Sequence, residues 1–562
     1  MDRLSPAPAA VEPAALLAAA HEADQLALAT IDELVSADGA ALKPGPDPVV
    51  LLLPVAAEAS IPLPEEHAAP APKGADPLPQ FEGGEHTALG DGITLMFNDA
   101  PVRASARPLA LPNGLSLTYG QIVALGGDFY GLPGEPIADD PRPPDRFTRA
   151  FDSLAKAESA RSEALQILKV MQIEIDQVNA ALAAGQHPSE VYARLGDTLS
   201  GQWNRITGGG SAISDFYPLG RYLKLAADNW DHFGTHAVKA YAAGHQAAVN
   251  LALQARLKPA GPARDRQLEL AYAMNAFADH FLTDLFAAGH LRTPRKDLYN
   301  AITPSVLGSY LSRYMHDEDN YFGLFVRNRL GESWVSFGDK MYFETVNAAN
   351  LRMARRAVQA SADEVYAAFR HGKRPQEAAA LNLIPKLDDV ANASDWRRTR
   401  NFSPLFVPAG STVLARNSIP DLNDHSWTIA WVGASTAAQL QNAKLSDRKF
   451  PAYHLKPPAG SLGYDPQRWT AEAPQGRWVR GAVARYAVSF FNQATRAESW
   501  PGPWSAPLTV TDKAFPTLTN IPTDPSGQAT GRLIYRQFAG GSIELIGTLS
   551  DNTATAFVDR TP

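Results

Sequence analysis

The chain has 562 residues, a net charge of −8 and a hydrophobic fraction of 45%. This length exceeds what one hydrophobic core normally supports, so we expect two or three globular domains. The acidic balance argues against a general nucleic-acid binder, and the absence of cysteine excludes disulfides, thiolate metal sites and a cysteine nucleophile.

Residues 1–85 are rich in alanine and proline. The pattern predicts one helix at Pro13–Val35, after which the prolines are too frequent for a helix or a sheet. We expect a flexible arm, or equally a delivery or assembly tag. The start lacks the features of a secretory signal and no apolar stretch is long enough to span a bilayer, so we expect secretion or delivery by a non-classical route.

Residues 86–385 show the apolar spacing of amphipathic helices and predict an all-α domain. The first prediction is one long helix over Phe147–Leu182. Further helices are predicted at Tyr222–His236, Ala237–Leu257, Gln267–Ala288, Ser305–Met315 and Lys340–Phe369.

After Pro385 the helical spacing fades and short β-rich runs lie between turn residues. We expect an irregular β-rich connector at 386–477 and a β-sandwich at 478–562. Alternation of Tyr486, Val488 and Phe490 predicts a strand with one buried face. The predicted fold class is therefore multidomain α + β.

The segment DHFLTDLFAAGH contains the most informative spacing in the chain. His280 and Asp284 lie one helical turn apart and therefore on one face, and His290 follows just beyond the helix. Six of the thirteen histidines fall in this part of the sequence: His232, His236, His245, His280, His290 and His316. Nitrogen and oxygen ligands without cysteine favour a catalytic zinc site over a structural one, with core or capping residues as the alternative.

Two stretches carry a resemblance to a known family. AMNAFADHFLTDLFAAGH has the His-x3-Asp-x5-His run of the zinc-dependent phospholipase C and P1 nuclease superfamily, and DNWDHF with the following AVKAYAAGHQAA resembles the segment before that run. The resemblance covers roughly residues 86–340. It implies an all-α fold with three clustered zinc ions.

The resemblance implies that His232, His280 and Asp284 hold one zinc together with an upstream aspartate, and that Asp284 bridges to a neighbouring ion. The upstream aspartate, which in the family also helps to activate water, is either Asp128 in GGDFYG or Asp215 in SAISDFYPLG.

A second ion is expected at His290 with His316 and either Asp319 or Glu318. The family has His-x3-Glu on this helix, where the present chain has Asn320.

The third family site uses the free amino group of an N-terminal tryptophan and a nearby histidine. His86 is the expected substitute here, and without it the site is dinuclear, so two or three zinc ions are expected. For His236, ligation, contact with a ligand and helix packing all remain open. His245 is expected to be a packing or surface residue.

The C-terminal runs RYAVSFFN and RLIYR resemble fibronectin type III-like domains of phage tail and secreted bacterial proteins. Such a domain leaves its ligand undetermined.

The resemblance implies a zinc-dependent phospholipase C-type phosphodiesterase, which releases diacylglycerol and a phosphorylated head group from phospholipid at a membrane surface and has no specific nucleic-acid partner. One alternative is a P1-type nuclease. Another is a non-catalytic adaptor of a phage-tail-like injection system. We expect any contact with secretion or injection machinery to be made by the N-terminal arm or by the C-terminal sandwich. Every candidate ligand precedes Pro385, so we expect residues 86–385 to carry the chemistry alone.

Overall fold

The fold is known from a computed structural model. It describes residues 50–52, 82–183, 199–209, 220–303, 305–339, 347–388, 401, 403–419, 424–442, 458–470, 481–492, 499, 501–510, 514–539 and 543–561. The helix predicted at Pro13–Val35 lies outside these ranges.

The described residues contain thirteen α-helices and several small antiparallel sheets, a mixed α + β fold. The helices are α1 Glu82–Asp91, α2 Tyr119–Leu125, α3 Pro143–Ala155, α4 Ala160–Ala183, α5 Ser200–Ile206, α6 Arg221–Ala227, α7 Gly234–Arg256, α8 Pro262–Asp284, α9 Ala288–Arg292, α10 Arg295–Ala301, α11 Ser305–Phe322, α12 Ala348–His371 and α13 Gly433–Asn442.

Helix α8 is the centre of the helical core. Every residue from Ala271 to Asp284 is buried, because α1, α2, α7 and α12 pack around it. A helix that is buried all round leaves its polar side chains no access to bulk water, so each needs a partner inside the protein. The buried carboxylates and imidazoles of α8 are therefore candidates for a binding site.

Helices α1 and α2 are joined by hydrogen bonds at their ends. Asp91, the last residue of α1, accepts from the Thr118 hydroxyl at 3.0 Å and from the Gly120 backbone N–H at 2.9 Å. Thr118 and Gln121 form a reciprocal capping box at the start of α2. This junction fixes the direction in which α2 ends, and so the path of the loop after it.

The single helix predicted over Phe147–Leu182 is wrong, because the structure has α3 and α4 with a break between them. The Asn113 side chain donates to the carbonyls of Leu154 and Ala157 at 2.8 and 2.9 Å. Those carbonyls would otherwise need the next turn of the helix, so a residue distant in sequence ends α3 there.

Residues 86–385 also contain β structure that the all-α prediction omits. The strands are β2 Thr94–Phe97, β3 Ala100–Arg103, β4 Leu109–Ala110, β5 Ser116–Leu117, β6 Leu324–Arg327 and β7 Ser333–Ser336, and β8 Lys386–Leu387, just after this region, pairs with β6. Strands β2 and β3 form a hairpin around Asn98 and Asp99, whose φ angles of 50° and 62° suit a two-residue turn. The region is thus predominantly helical with three small antiparallel sheets.

A second sheet-and-helix unit follows. Strands β9 Phe406–Ala409, β10 Thr412–Arg416 and β11 Ser426–Thr428 pair antiparallel, and β1 Val50–Leu52 adds to β11. The β-rich run TIAWVG is mostly loop, since only its first residue belongs to β11. Side chains of α10, α11, α13 and this sheet share one apolar cluster, so the connector packs directly on the helical part.

The C-terminal residues form two antiparallel sheets. Their strands are β12 Gly463–Thr470, β13 Val483–Phe491, β14 Leu508–Thr509, β15 Ala514–Thr519, β16 Gly531–Phe538, β17 Ile543–Leu549 and β18 Phe557–Val558. The strand orders are β12-β15-β18 and β14-β13-β16-β17, and side chains of both sheets meet in one apolar cluster. The alternation predicted for β13 holds only in its first half, because every residue from Tyr486 to Phe490 is buried.

Within the described residues, no helix combines the length and the apolar character needed to cross a membrane.

Candidate metal centre

Eight side chains with metal-ligating atoms meet around the end of α8. They form three groups, and within each group the ligand atoms lie within 4.8 Å of one another. The groups are His86, Asp128 and His280; His232, His280 and Asp284; and His290, His316 and Asp339. These side chains come from α1, the loop after α2, the 3₁₀ turn Trp230–His232, α8, α9, α11 and the segment after β7.

The second group lies at the centre. Asp284 Oδ2 is 2.8 Å from His232 Nδ1 and 3.5 Å from His280 Nε2, and the two imidazole nitrogens are 3.1 Å apart. Asp128 Oδ1 lies 3.9 Å from His232 Nδ1 and 4.0 Å from His280 Nε2. Two imidazoles and two carboxylates thus face one point, as the spacing in the sequence predicts for His280 and Asp284.

Hydrogen bonds fix which nitrogen of each imidazole faces this point. His280 Nδ1 is 3.0 Å from the Val123 carbonyl, so it carries the proton and Nε2 keeps its lone pair. His86 Nδ1 is 2.8 Å from Thr283 Oγ1, and that hydroxyl is committed as a donor to the Asp279 carbonyl. His86 therefore donates from Nδ1, and its Nε2 lies 3.5 Å from Asp284 Oδ1. Such outer hydrogen bonds are typical of metal-binding histidines.

The loop after α2 approaches the imidazoles closely because of Gly127. Its φ is +66°, and a Cβ there would lie 2.4 Å from His280 Cδ2 and 2.8 Å from His232 Cε1. Only glycine fits this approach and this backbone conformation. The glycines of GGDFYG therefore bring Asp128 to the imidazoles in addition to making a turn.

Asp284 is the buried carboxylate on which the groups converge. Its Oδ2 is buried and has no hydrogen bond of full geometry among the described residues, although His232 Nδ1 is 2.8 Å away. Its Oδ1 lies 3.7 Å from His290 Nδ1. A buried carboxylate oxygen surrounded by imidazole nitrogens but left unpaired fits a cation ligand.

Charge in the group shifts the protonation of its members. Burial raises the pKa of Asp284, but electrostatic interaction with the surrounding imidazoles and the hydrogen bond from His232 lower it more, so its pKa lies well below its usual range. Burial lowers the pKa of His232 and the Asp284 charge raises it, with a net rise to about 9. Burial lowers the pKa of His280 well below its ordinary value. Without a metal, His232 therefore carries the positive charge and His280 is neutral.

The third group joins α9 and α11. Asp339 Oδ2 lies 3.5 Å from His290 Nε2 and 3.0 Å from His316 Nε2. His290 Nδ1–H donates to the His232 carbonyl at 2.8 Å, and His316 Nδ1 is 2.9 Å from Asp317 Oδ1. Each Nε2 is therefore the nitrogen turned toward Asp339.

As in the second group, one histidine has a raised pKa and the aspartate has a lowered pKa. Burial lowers the pKa of His316 and the hydrogen bonds to Asp317 and Asp339 raise it, with a net rise to about 10. Burial raises the pKa of Asp339, but hydrogen bonds from His290 and His316 lower it well below its usual range. The group holds an ionised carboxylate between two imidazoles.

Asp339 was missed by sequence reasoning. The expected acids, Asp319 and Glu318, are not in the group: Asp319 pairs with Arg292 at 2.7 Å and Glu318 with Arg416 at 2.8 Å. Asp339 follows strand β7, and the only local signal is its position after Gly338 at the end of a short β-rich run. The metal role expected of Asp319 and Glu318 is therefore replaced by an ion-pairing role.

The other expected residues are placed as follows. Asp215 lies outside the described residues. His236 is half-buried on α7 and belongs to none of the three groups, and burial lowers its pKa. His245 packs inside the protein, 2.7 Å from Asn275 Oδ1 and 3.1 Å from Glu364 Oε2. The structure thus brings together seven of the nine expected ligands: His86, Asp128, His232, His280, Asp284, His290 and His316.

A buried polar network lies behind α8. Asp279 accepts from the Tyr119 hydroxyl and from the Ser361 hydroxyl, both at 2.7 Å, and Asn275 donates to both hydroxyl oxygens. Burial raises the pKa of Asp279 to about 7. This network fixes the rotation of α8 and with it the direction of His280.

A small cleft, with a volume of about 30 Å³, opens beside His232. Its apolar lining includes Leu132, Ile137, Leu225, Phe277 and Phe281. Its titratable lining consists of Glu135, Asp228, Asp231 and His232. Glu135 pairs with Arg149 at 3.0 Å, and Asp231 accepts from the Ala138 backbone N–H at 2.9 Å. Burial raises the pKa of Asp231 to about 6. The cleft is apolar and acidic next to the candidate ligands.

No protein-family model matches the chain, and comparison with curated proteins finds no significant match.

Proposed function

We propose that this protein is a zinc-dependent phosphodiesterase of the phospholipase C type, with two or three zinc ions. The observation that carries the proposal is the group of eight convergent side chains, with Asp284 Oδ2 buried and unpaired at its centre. Hydrolytic zinc sites commonly use histidine and carboxylate ligands without cysteine.

The residues suit two separate centres. His232, His280 and Asp284, with Asp128, would hold one ion. His290, His316 and Asp339 would hold another, and Asp284 lies between the two centres.

A third ion would need His86 and Asp128. His280 has only one nitrogen free, since Nδ1 is bound to the Val123 carbonyl, so it would serve one ion at a time. The third ion would therefore depend on Asp128 using both of its oxygens.

Zinc bound there would supply Lewis acidity toward phosphoryl oxygens and a water molecule of lowered pKa. The protein would contribute the remaining roles. The side chain of Asp128 is 36% exposed, against 24% for Asp339 and 4% for Asp284. Asp128 is thus the carboxylate best able to meet an incoming water molecule, orient it and accept its proton at a carboxylate oxygen. Asp284, buried and ionised, would remain a ligand throughout.

The cleft beside His232 supports a lipid substrate over a nucleic acid. Its apolar wall suits the organic part of a phosphodiester, and the carboxylate of Asp228 suits a cationic head group and disfavours a polyanion. A phospholipid with a quaternary ammonium head group is the substrate class that matches both properties.

The two C-terminal sheets would form a fibronectin type III-like sandwich. We propose that this module holds the enzyme at a membrane surface or at delivery machinery, since the candidate ligands all lie outside it. The all-α phospholipase C-like domain of the family is proposed for the helical core, with its three small sheets as additions.

The test is a substrate panel with the zinc-loaded full chain. We expect release of phosphocholine from phosphatidylcholine vesicles, slow cleavage of single-stranded DNA, and loss of both activities in the Asp284→Asn variant. Rapid DNA degradation without head-group release would support the nuclease instead. Inactivity on every phosphodiester at full zinc loading would support a non-catalytic adaptor.

A further inference from the structure

Two buried ion pairs lie next to the group His290, His316 and Asp339. The first joins α9 to α11: Arg292 follows His290 by two residues, and Asp319 follows His316 by three. Arg292 Nε and Nη2 donate to Asp319 Oδ2 and Oδ1 at 2.8 and 2.7 Å. The two helices that carry His290 and His316 are therefore joined by the two-point contact between Arg292 and Asp319.

The second pair joins α11 to the connector. Arg416, in β10, is fully buried, and its Nη1 and Nη2 donate to Glu318 Oε1 and Oε2 at 2.8 and 2.9 Å. The remaining guanidinium donors reach the carbonyls of Ser403 at 2.7 Å and Ile419, the latter from Nε at 3.1 Å and from Nη2. All five N–H groups of this arginine therefore have acceptors.

Asn401 connects the connector to the first ion pair. Its backbone carbonyl accepts from Arg292 Nη1 at 2.7 Å. Its side chain exchanges two hydrogen bonds with the backbone of Phe325 and donates to the Asp388 carbonyl. Asn401 thus accepts from Arg292 and is itself held by β6, the strand that follows α11.

We propose that the connector is a structural part of the metal centre, and that Arg416 is a positioning residue for His316. This inference rests on the proposed function and adds to it a residue far from the ligands in sequence. Glu318 and Asp319 anchor α11 to Arg416 and Arg292, and the helix thereby presents His316 to Asp339. The expectation that residues 86–385 carry the chemistry alone is replaced by a centre that needs residues beyond Pro385.

The physical reason is the cost of an unpaired buried charge. Removal of Arg416 leaves the Glu318 carboxylate, whose side chain is 4% exposed, without its counterion. The carboxylate must then move toward water, and α11 must move with it. A shift of this helix changes the separation of His290 and His316, whose ring centroids are 4.9 Å apart. Loss of an outer positioning contact typically weakens metal binding about 10- to 100-fold.

The experiment compares zinc affinity and turnover in four variants of the full chain. Arg416→Met breaks the pair, Arg416→Lys keeps the charge without the two-point contact, and Arg416→Met with Glu318→Met removes both charges together. Arg536→Met is the matched control, because Arg536 is also fully buried and pairs with Asp559 at 2.9 Å, but in the C-terminal sheets. Zinc is titrated into chelator-stripped protein, and folding is checked by circular dichroism.

We expect Arg416→Met to weaken the binding of one zinc ion about 10- to 100-fold and to lower kcat with little change in KM. Arg416→Lys should recover part of both losses, and Arg536→Met should change neither. If Arg416→Met does not fold, the double variant decides, because replacing a buried ion pair by apolar side chains commonly preserves folding. The double variant should fold and bind one ion more tightly than Arg416→Met, because no unpaired charge is left, but more weakly than the unaltered chain, because the directional contacts of Arg416 that hold α11 are lost.

Zinc affinity equal to that of the unaltered protein in the folded double variant would overturn the inference, as would an equal loss in Arg536→Met. Failure of the unaltered protein to bind any zinc would instead overturn the proposed function. The two failures are therefore distinguishable.

Discussion

Asn320 Nδ2 lies 3.3 Å from Asp339 Oδ2, so an amide on α11 holds the carboxylate that completes the group with His290 and His316. The same amide nitrogen is 3.1 Å from His316 Nε2, and its Oδ1 accepts from the Gly289 backbone N–H at 2.5 Å. In the family that the sequence resembles, a glutamate stands at the position of Asn320. In the present chain the carboxylate next to His316 Nε2 comes from the segment after β7 and not from α11.

An exchange of residues between these two positions tests this relationship. Asp339→Asn removes the only carboxylate of the group, so we expect the loss of about one zinc ion per chain and a fall in turnover of about tenfold or more. Adding Asn320→Glu should restore part of the zinc, because position 320 lies one helical turn after His316. The measurements are elemental analysis and turnover. Full zinc in Asp339→Asn would contradict the assignment of this ligand.

Asp284→Asn should remove most of the zinc and nearly all activity, because Asp284 touches members of all three groups and its charge is needed to hold cations. The matched control is Asp559→Asn, which changes a fully buried carboxylate in the C-terminal sheets, outside the groups. That variant should keep its zinc. Circular dichroism should show α8 intact in both, and full zinc content in Asp284→Asn would show that the motif has been misread.

Much of the candidate metal centre can be predicted from the sequence, because the helix face on which a residue lies depends only on its spacing from nearby residues. His280 and Asp284 share a helix face, and each further histidine lies next to a recognisable motif. Asp339 was missed because a ligand supplied by a turn after a short hairpin has no periodic signal. Asp319 and Glu318 lie outside the three groups, because closeness to His316 in sequence does not show which side of α11 faces Asp339. Their partners, Arg292 and Arg416, are set by tertiary packing that spacing cannot predict.

Comparison of the two upstream aspartates tests the proton acceptor. Asp128→Asn should lower kcat by about 10²- to 10⁴-fold at equal zinc loading, as loss of a general base does. Asp215→Asn should have little effect, because Asp128 already lies about 4 Å from both central imidazoles. Turnover at saturating substrate is the measurement. A large loss in Asp215→Asn with none in Asp128→Asn would reverse the assignment.

The stability of the metal-free protein should depend on pH. The folded-state pKa values of His232 and His316 are raised from 6.5 to about 9 and about 10. Their contribution is therefore fully present below about pH 6.5 and is lost as pH rises through 9 and 10. The lowered pKa values of Asp284 and Asp339 affect stability only in acid, so they do not oppose this trend.

Urea unfolding at pH 7 and pH 10 checks this expectation. We expect the free energy of unfolding of chelator-stripped protein to fall by a few kcal/mol over this interval, at about 1.4 kcal/mol per pKa unit. Zinc-saturated protein should lose less, because its histidines are already neutral ligands. The variant His316→Gln should show a smaller fall than the unaltered chain. Identical pH dependence with and without zinc would mean that these histidines do not bind the metal.

Zinc titration of chelator-stripped protein, followed by calorimetry with phosphodiester turnover measured at each point, tests the central claim most directly. We expect two or three tight sites per chain, with turnover that appears only as the sites fill. Absence of stoichiometric zinc binding, or full occupancy without hydrolysis of any phosphodiester, would contradict a hydrolytic zinc centre in this protein.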